Sequence, residues 1–290
     1  MARNALLREV VKRVLGPQYS SLVWKRIEVL GDVAIIRKPF DLPIDLFKAV
    51  GEELLRALPY IKSVWLATSP VHGVERIREY VHLAGEMKTE VTYKEHGCVF
   101  KLDFTKVYIS PVLSYDHMRT ARLVRKGEVI LNMFAGFAPY SVIISKYAQP
   151  SYVVSIDINN YAVMYARINI ELNKVASINE VVHGDALTIT SSFDNSFDRI
   201  LMPYPELFEQ ALRVALKAVK IGGVVHPHLF VEALNKREAL MKAFQIVSRI
   251  AGEEKARVEP VGGHVIRGVA TRKYHVVVDA VVKSKALEQH

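Results

Sequence analysis

Cysteine is nearly missing from this chain: Cys98 is the only one among 290 residues. A single thiol excludes a disulfide framework and every multi-cysteine zinc or iron–sulfur site, and it fits a reducing compartment. Long apolar runs are missing too. No stretch approaches the roughly 18 uncharged residues that a membrane span requires. The first segment, M-A-R-N-A-L-L-R-E-V-V-K-R, scatters charge through its apolar residues and lacks a signal-peptide core. There is no internal repeat and no low-complexity tract. A soluble, cytoplasmic protein is the expectation.

What is present is an ordinary globular composition. Hydrophobic residues make up 50% and charged residues 24%, which excludes disorder as the dominant state. Lys and Arg number 39 against 30 acids, a net charge of +9. Such an excess suggests a polyanionic partner, although a solvated basic surface gives the same number.

The pattern along the chain changes once. Residues 4–15 read as a helix with Leu6, Leu7, Val10, Val11 and Val14 on one face, stopped by Gly16-Pro17. Residues 27–37 read as strand, turn and strand. A helix at about 44–57, a strand at 61–67 and β segments near 91–95 and 98–109 complete a mixed α+β unit over 1–105. From 106 to 290 the rhythm alternates. Short Val- and Ile-rich strands at 128–133, 152–157, 179–183, 197–202 and 223–228 are separated by helices near 139–148, 160–173, 206–219 and 232–250. That predicts an α/β fold: a Rossmann-like, mostly parallel, doubly wound sheet. A long final strand over 274–283 closes it, and the last residues read as a frayed tail.

The run N-M-F-A-G-F-A-P-Y (132–140) falls where the first of these strands meets its helix. Ala135-Gly136 permits close backbone approach, with free N–H groups at the helix start behind it. Asp157 ends the next strand about 20 residues after Gly136, the spacing of a carboxylate that holds a cofactor ribose. Asp185 ends the third strand, placed to address a base edge. The alternative is that Asp157 caps the helix starting near Asn159-Asn160 and Gly136 merely packs. Ala138 occupies the second glycine position of a dinucleotide loop, so a compact cofactor such as S-adenosylmethionine is favoured over a pyrophosphate.

The strings D-F-T-K-V-Y-I-S-P-V-L-S-Y-D-H-M-R (103–119), N-M-F-A-G-F-A-P-Y (132–140), D-I-N (157–159) and N-x-x-L-N-K (169–174) carry a resemblance. So do G-V-E-R-I-R-E-Y-V-H-L-A-G-E (73–86) and Y-K-E-H-G-C (93–98). Together they resemble the archaeal and eukaryotic tRNA (guanine-N1) methyltransferases, which act on the guanosine just 3′ of the anticodon. The resemblance spans roughly residues 20–283. It implies a small RNA-binding domain followed by a class I methyltransferase domain using S-adenosylmethionine, monomeric and without metal. Relatives often carry a further N-terminal domain, and this chain begins too close to the matching region to hold one.

Carried over residue by residue, the resemblance makes Asp116 the general base for the N1 proton. Arg76 becomes the stabiliser of charge on the guanine, with Arg78 a second candidate. Cofactor contacts are implied for His117, Met133, Phe134, Ala135, Gly136, Asp157, Ile158, Asp185, Ala186 and Pro203. Substrate contacts fall to Arg78, Tyr204 and Pro205. Three positions depart from the pattern: Val112 replaces an arginine, Asn132 replaces an acidic residue, and Pro203-Tyr204-Pro205 replaces N-L-P. Proline cannot supply the side-chain amide that the family aims at the base. This departure favours the archaeal branch that also methylates C7 of a tricyclic wybutosine precursor. Aminocarboxypropyl transfer on the same nucleotide is the sister chemistry, and an RNA-binding relative without catalysis is the non-enzymatic alternative.

The chemistry suits the assignment. N1 of guanine carries a proton, and losing it during attack builds charge toward O6, so a carboxylate and a guanidinium answer both needs. A cap of the helix after Ser114 is the plain alternative for Asp116. His226 and His228 flank Pro227 without a third ligand pattern and read as crevice or packing residues. Residues 261–275 hold Arg267, Arg272 and Lys273, three glycines and no acid. They read as a basic loop suited to phosphate contacts.

Overall fold

The structure, a computed structural model, describes residues 3–39 and 42–285. The chain divides into two compact units, Met1–Pro111 and Val112–His290. The division falls after Pro111, where the sequence pattern alone places it after residue 105.

The first unit contains α1 (Arg3–Val14), α2 (Pro17–Ser20), β1 (Glu28–Leu30), β2 (Val33–Arg37), α3 (Phe47–Ala57), β3 (Ser63–Ala67), β4 (Tyr80–Gly85), β5 (Glu90–Glu95) and β6 (Cys98–Asp103). Strands β1 to β4 form one sheet in that order. The β2–α3–β3 crossover makes its central pair parallel, and both flanking pairs are antiparallel. Helices α1 and α3 bury Leu7, Val10, Val11, Phe47, Val50 and Leu54 against Ala34, Ile36, Val64 and Leu66. Each such side chain contributes about 1.5–3 kcal/mol by leaving water. Gly51 lets α3 approach β4, because a Cβ there would come within 2.6 Å of the Leu83 Cβ.

Strands β5 and β6 pair as a separate hairpin through His96-Gly97, both at positive φ, which is the primed turn that matches strand twist. The strand read over 98–109 stops at Asp103. Its Oδ1 accepts from the Thr105 N–H at 2.8 Å and the Thr105 hydroxyl at 2.6 Å, turning the chain away.

The second unit contains α4 (Ser114–Leu123), β7 (Val129–Asn132), α5 (Pro139–Ala148), β8 (Tyr152–Asp157), α6 (Asn160–Leu172), β9 (Asn179–His183) and α7 (Ala186–Ser191). It continues with β10 (Phe197–Met202), α8 (Phe208–Ala218), β11 (Val219–Glu232), α9 (Lys236–Glu253), β12 (Ala256–Ala270) and β13 (Lys273–Lys285). One sheet runs β12-β13-β11-β10-β7-β8-β9. Strands β9, β8, β7, β10 and β11 are mutually parallel, and β13 is antiparallel to β11. This is the mostly parallel, doubly wound sheet that the sequence pattern predicts. The chain leaves β7 toward β8 and β9, then returns to place β10 on the other side of β7. A crevice opens at the carboxyl ends of strands where the order reverses in this way.

Val-, Leu- and Ala-rich faces of β10, β11, β13, α8 and α9 form the core, including Ile200, Met202, Leu212, Ala215, Val225, Val247 and Val276.

The basic loop expected over 261–275 is a hairpin instead. Arg267 lies on β12, Arg272 in the turn at φ 58°, and Lys273 begins β13. Glycines in an edge strand with repeated register shifts mimic a loop in sequence. Among the described residues no helix is long and apolar enough to cross a membrane.

Candidate active site

The turn from β7 into α5 is the most strained stretch of backbone in the second unit. Phe134, Gly136 and Ala138 all take left-handed φ, at 56°, 58° and 63°. Only glycine adopts that region freely, so two side-chain-bearing residues are held there by their surroundings. The Ala135 N–H donates to the Ile156 carbonyl at 2.8 Å, and the Gly136 N–H donates to Asp157 Oδ2 at 2.7 Å. The loop is thereby tied to the end of β8. A Cβ on Gly136 would meet nothing within 4 Å, so the glycine faces open space at the strand ends.

Asp157 also accepts the Asn159 N–H through Oδ1 at 2.9 Å. The cap of α6 is Asn159 rather than Asp157, which leaves the aspartate as a loop clamp facing the crevice. Ile158 beside it is 45% exposed. Asp185 caps α7, accepting from the Leu187 and Thr188 N–H groups, and its pKa is lowered chiefly by the Thr188 hydroxyl. Ala186 is buried behind it. Tyr204 meets Phe134 edge to face at 5.2 Å, joining the end of β10 to the loop. Pro205 begins the short turn that leads into α8.

Asp116 lies in the first turn of α4 without capping it. It is buried, and both its oxygens are engaged: Oδ1 accepts from Arg119 Nε at 2.6 Å and Oδ2 from the Tyr140 hydroxyl at 2.5 Å. Burial alone would raise its pKa, but His228, Arg119 and the tyrosine hydroxyl outweigh it and hold the carboxyl below its ordinary value. His117 packs edge-on against Tyr140 at 4.4 Å.

A polar chain continues inward from this group. Arg119 clamps Asp279 of β13 with Nη1 at 2.6 Å and Nη2 at 3.1 Å. Asp279 faces His226 Nδ1 at 2.7 Å, and His226 Nε2 faces Arg199 Nη1 at 2.6 Å. The guanidinium can only donate, so Nε2 accepts and the His226 proton sits on Nδ1, aimed at Asp279. Arg199 also grips Glu128 through two nitrogens, at 2.7 and 2.9 Å. Burial pushes His228 down to about 4, so it is neutral at pH 7. The two histidines therefore belong to a buried hydrogen-bond network.

Residues from the first unit are described on their own. Arg76 sits at φ 55° in the turn closed by the His72–Ile77 bridge, its guanidinium 4.5 Å over the Tyr108 ring. Arg78 lies 3.8 Å from Glu28.

Sequence reasoning passed over Arg119, Asp279, Arg199 and Glu128. The available signal was a lone carboxylate inside V-V-V-D-A-V-V (276–282), a charge that a buried strand tolerates only when paired.

The crevice residues fit S-adenosylmethionine. Open space at Gly136 admits the cofactor against the loop. Asn132, at the end of β7, donates its amide to Ser141, while its buried Oδ1 finds no partner among the described residues, an acceptor suited to an ammonium group. Asp157 is the candidate for the ribose hydroxyls and Ile158 for the adenine face.

A profile described as the TRM5/TYW2 methyltransferase domain matches residues 91–259. The chain belongs to that family. Among TRM5/TYW2 relatives, the tRNA 4-demethylwyosine(37)-methyltransferase Taw21 of Saccharolobus solfataricus is 40% identical over 273 residues, 94% of this chain and 98% of that protein. The tRNA (guanine(37)-N(1))-methyltransferase Trm5b of Pyrococcus abyssi is 33% identical, covering 87% of this chain and 73% of its own. The crystal structure of Methanocaldococcus jannaschii Trm5 in complex with adenosine superposes with a TM-score of 0.79 at 26% identity, over 96% of this chain and 79% of that one.

Proposed function

We propose that this enzyme transfers the methyl group of S-adenosylmethionine to C7 of the tricyclic base 4-demethylwyosine at position 37 of tRNA. The observation that carries this reading is the enclosure of Asp116 between Arg119 and Tyr140. N1 of guanine must lose its proton as it attacks, which asks for a base with a free oxygen. A ring carbon attacks with its π electrons and releases its proton afterwards, from a cation acidic enough to give it to solvent. A carboxylate already occupied at both oxygens suits the second task better. Its service is then to fix Tyr140.

Pro203 points the same way. It stands at the end of β10 where an amide would read a guanine edge, and it offers no donor. Phe134 and Tyr204 give that position an aromatic wall, matched to a three-ring base that recognises stacking more than edge hydrogen bonds. The 40% identical Taw21 relative, covered over 98% of its length, supports this choice. Bound in the crevice, S-adenosylmethionine supplies an electrophilic methyl group. The loop at 133–136, Asn132 and Asp157 hold and orient it.

Methylation of guanine N1 is the second reading. It is favoured by one observation: Tyr140 bridges Asp116 to the loop helix, so its hydroxyl can pass a proton to an ionised carboxylate.

Nucleoside analysis of the product tests the proposal. The enzyme is incubated with S-adenosylmethionine and, in parallel, with tRNA bearing guanosine or 4-demethylwyosine at position 37, and the tRNA is then digested and weighed by mass spectrometry. The expected product is the tricycle plus one methyl on carbon. Methyl only on N1 of guanosine tRNA, or an aminocarboxypropyl adduct, overturns it in favour of the corresponding chemistry.

A further inference from the structure

A cavity of about 800 Å³ lies wholly within the second unit, at the end of the sheet opposite the crevice. Glu128, Asp198 and Arg199 line it at the amino ends of β7 and β10. The six residues of β10 put about 16 Å of strand between it and the carboxyl ends where the cofactor loop stands. Its size is that of a pocket for a small organic ligand.

The acids that line it are all engaged. Glu128 is gripped by Arg199, and Asp279 is held by Arg119 and His226. Asp198 accepts from Lys220 and from the Val129 N–H, each at 2.8 Å. Two cations at the rim stand apart from these pairs. Arg125 and Lys126 occupy the exposed turn between α4 and β7, closed by the Glu128 N–H donating to the Arg125 carbonyl at 3.3 Å. Gly127 follows them at φ 85°, the left-handed residue that such a turn requires. Neither cationic side chain has a partner among the described residues.

The rest of the rim is apolar. Ile221 and Val261 are 59% and 58% exposed there. An inorganic anion would use the cations and leave these side chains in water. A purely apolar molecule would do the reverse. A ligand with a phosphate at one end and a flat ring at the other matches both. A guanidinium forks onto two phosphate oxygens, and an ammonium adds a point charge.

We propose that this cavity binds a free nucleotide, its phosphate against Arg125 and Lys126 and its base against Ile221 and Val261.

AMP is the probe, titrated by calorimetry into enzyme already saturated with S-adenosylmethionine, so that the crevice is filled. The expectation is one AMP per chain, bound without displacing S-adenosylmethionine. The double variant Arg125→Ala, Lys126→Ala should weaken AMP binding at least about tenfold, the loss of a hydrogen bond to a charged group. Ile221→Asp, at the apolar side of the rim, should weaken it as well. Both variants change exposed residues and keep wild-type affinity for S-adenosylmethionine. Adenosine, which lacks the phosphate, should bind at least about tenfold more weakly than AMP. No AMP binding to the loaded enzyme, binding only by displacement of S-adenosylmethionine, or equal AMP affinity in the double variant overturns the proposal. Displacement of AMP by tRNA assigns the site to an RNA phosphate and overturns the free nucleotide as its occupant.

Discussion

Arg119 reaches from α4 to Asp279 of β13, 160 residues away in sequence, and holds it with two nitrogens at 2.6 and 3.1 Å. Its remaining nitrogen donates to Asp116. One half-buried cation therefore balances two buried carboxylates and ties the first helix of the second unit to the last strand of the sheet.

Removing that cation leaves both acids uncompensated. Arg119→Met is expected to destabilise the protein by about 3–5 kcal/mol, the usual cost of breaking a buried ion pair from one side. Asp279→Asn, which keeps the shape and one acceptor, should cost less. Urea denaturation with an unchanged slope checks both. Equal stability of wild type and Arg119→Met would mean that the clamp contributes nothing.

Stability should also fall as the solution is acidified, in two windows. His228 titrates near 4 in the folded chain against an ordinary 6.5, so the unfolded chain takes the proton first. That contribution is complete above 6.5 and is lost as pH falls toward 4, by about 3 kcal/mol. Asp116 and Asp279 are held below their ordinary values by their partners against burial, so their contribution is lost at still lower pH. Replacing His228 by Gln should flatten the upper window and leave the Asp279 part of the lower one. Denaturation curves between pH 7 and 4 decide it; an unchanged pH slope in the variant would remove His228 as the cause.

Asp157 is expected to serve the cofactor as well as the loop. Asp157→Ala should weaken S-adenosylmethionine binding by about 1–3 kcal/mol, the loss of a hydrogen bond to a polar or charged partner. Calorimetry measures this directly, and wild-type affinity in a folded variant would exclude the residue from the site.

The hairpin cations give a fourth expectation. Replacing Arg267, Arg272 and Lys273 together should lower tRNA affinity and flatten its salt dependence by up to about three phosphate contacts. Binding measured across a salt series checks it. An unaltered slope would make them ordinary surface charges.

The parallel sheet was legible because Val- and Ile-rich strands alternate with helices, and the cofactor loop because Gly136 and Asp157 stand at a telling spacing. β4 escaped notice because its Y-V-H-L-A-G run has no clean alternation, its first three residues being only half-buried. β12 escaped because Gly262, Gly263 and Gly268 read as breakers. The enclosure of Asp116 was the larger omission. Its partner Arg119 is visible three residues along the helix. Tyr140 and Asp279 come to it only through tertiary folding, which no local pattern encodes.

The most direct test compares two tRNAs of one sequence, differing only in guanosine or 4-demethylwyosine at position 37. Single-turnover methyl transfer from labelled S-adenosylmethionine is measured on each, with wild type and Asp116→Asn. A carbon nucleophile that needs no prior deprotonation predicts rapid transfer to the tricyclic tRNA and little to the guanosine tRNA. The variant should retain much of the tricyclic rate. Rapid transfer to guanosine that falls roughly 10²–10⁴-fold in Asp116→Asn would contradict the account and restore the aspartate as the base for N1.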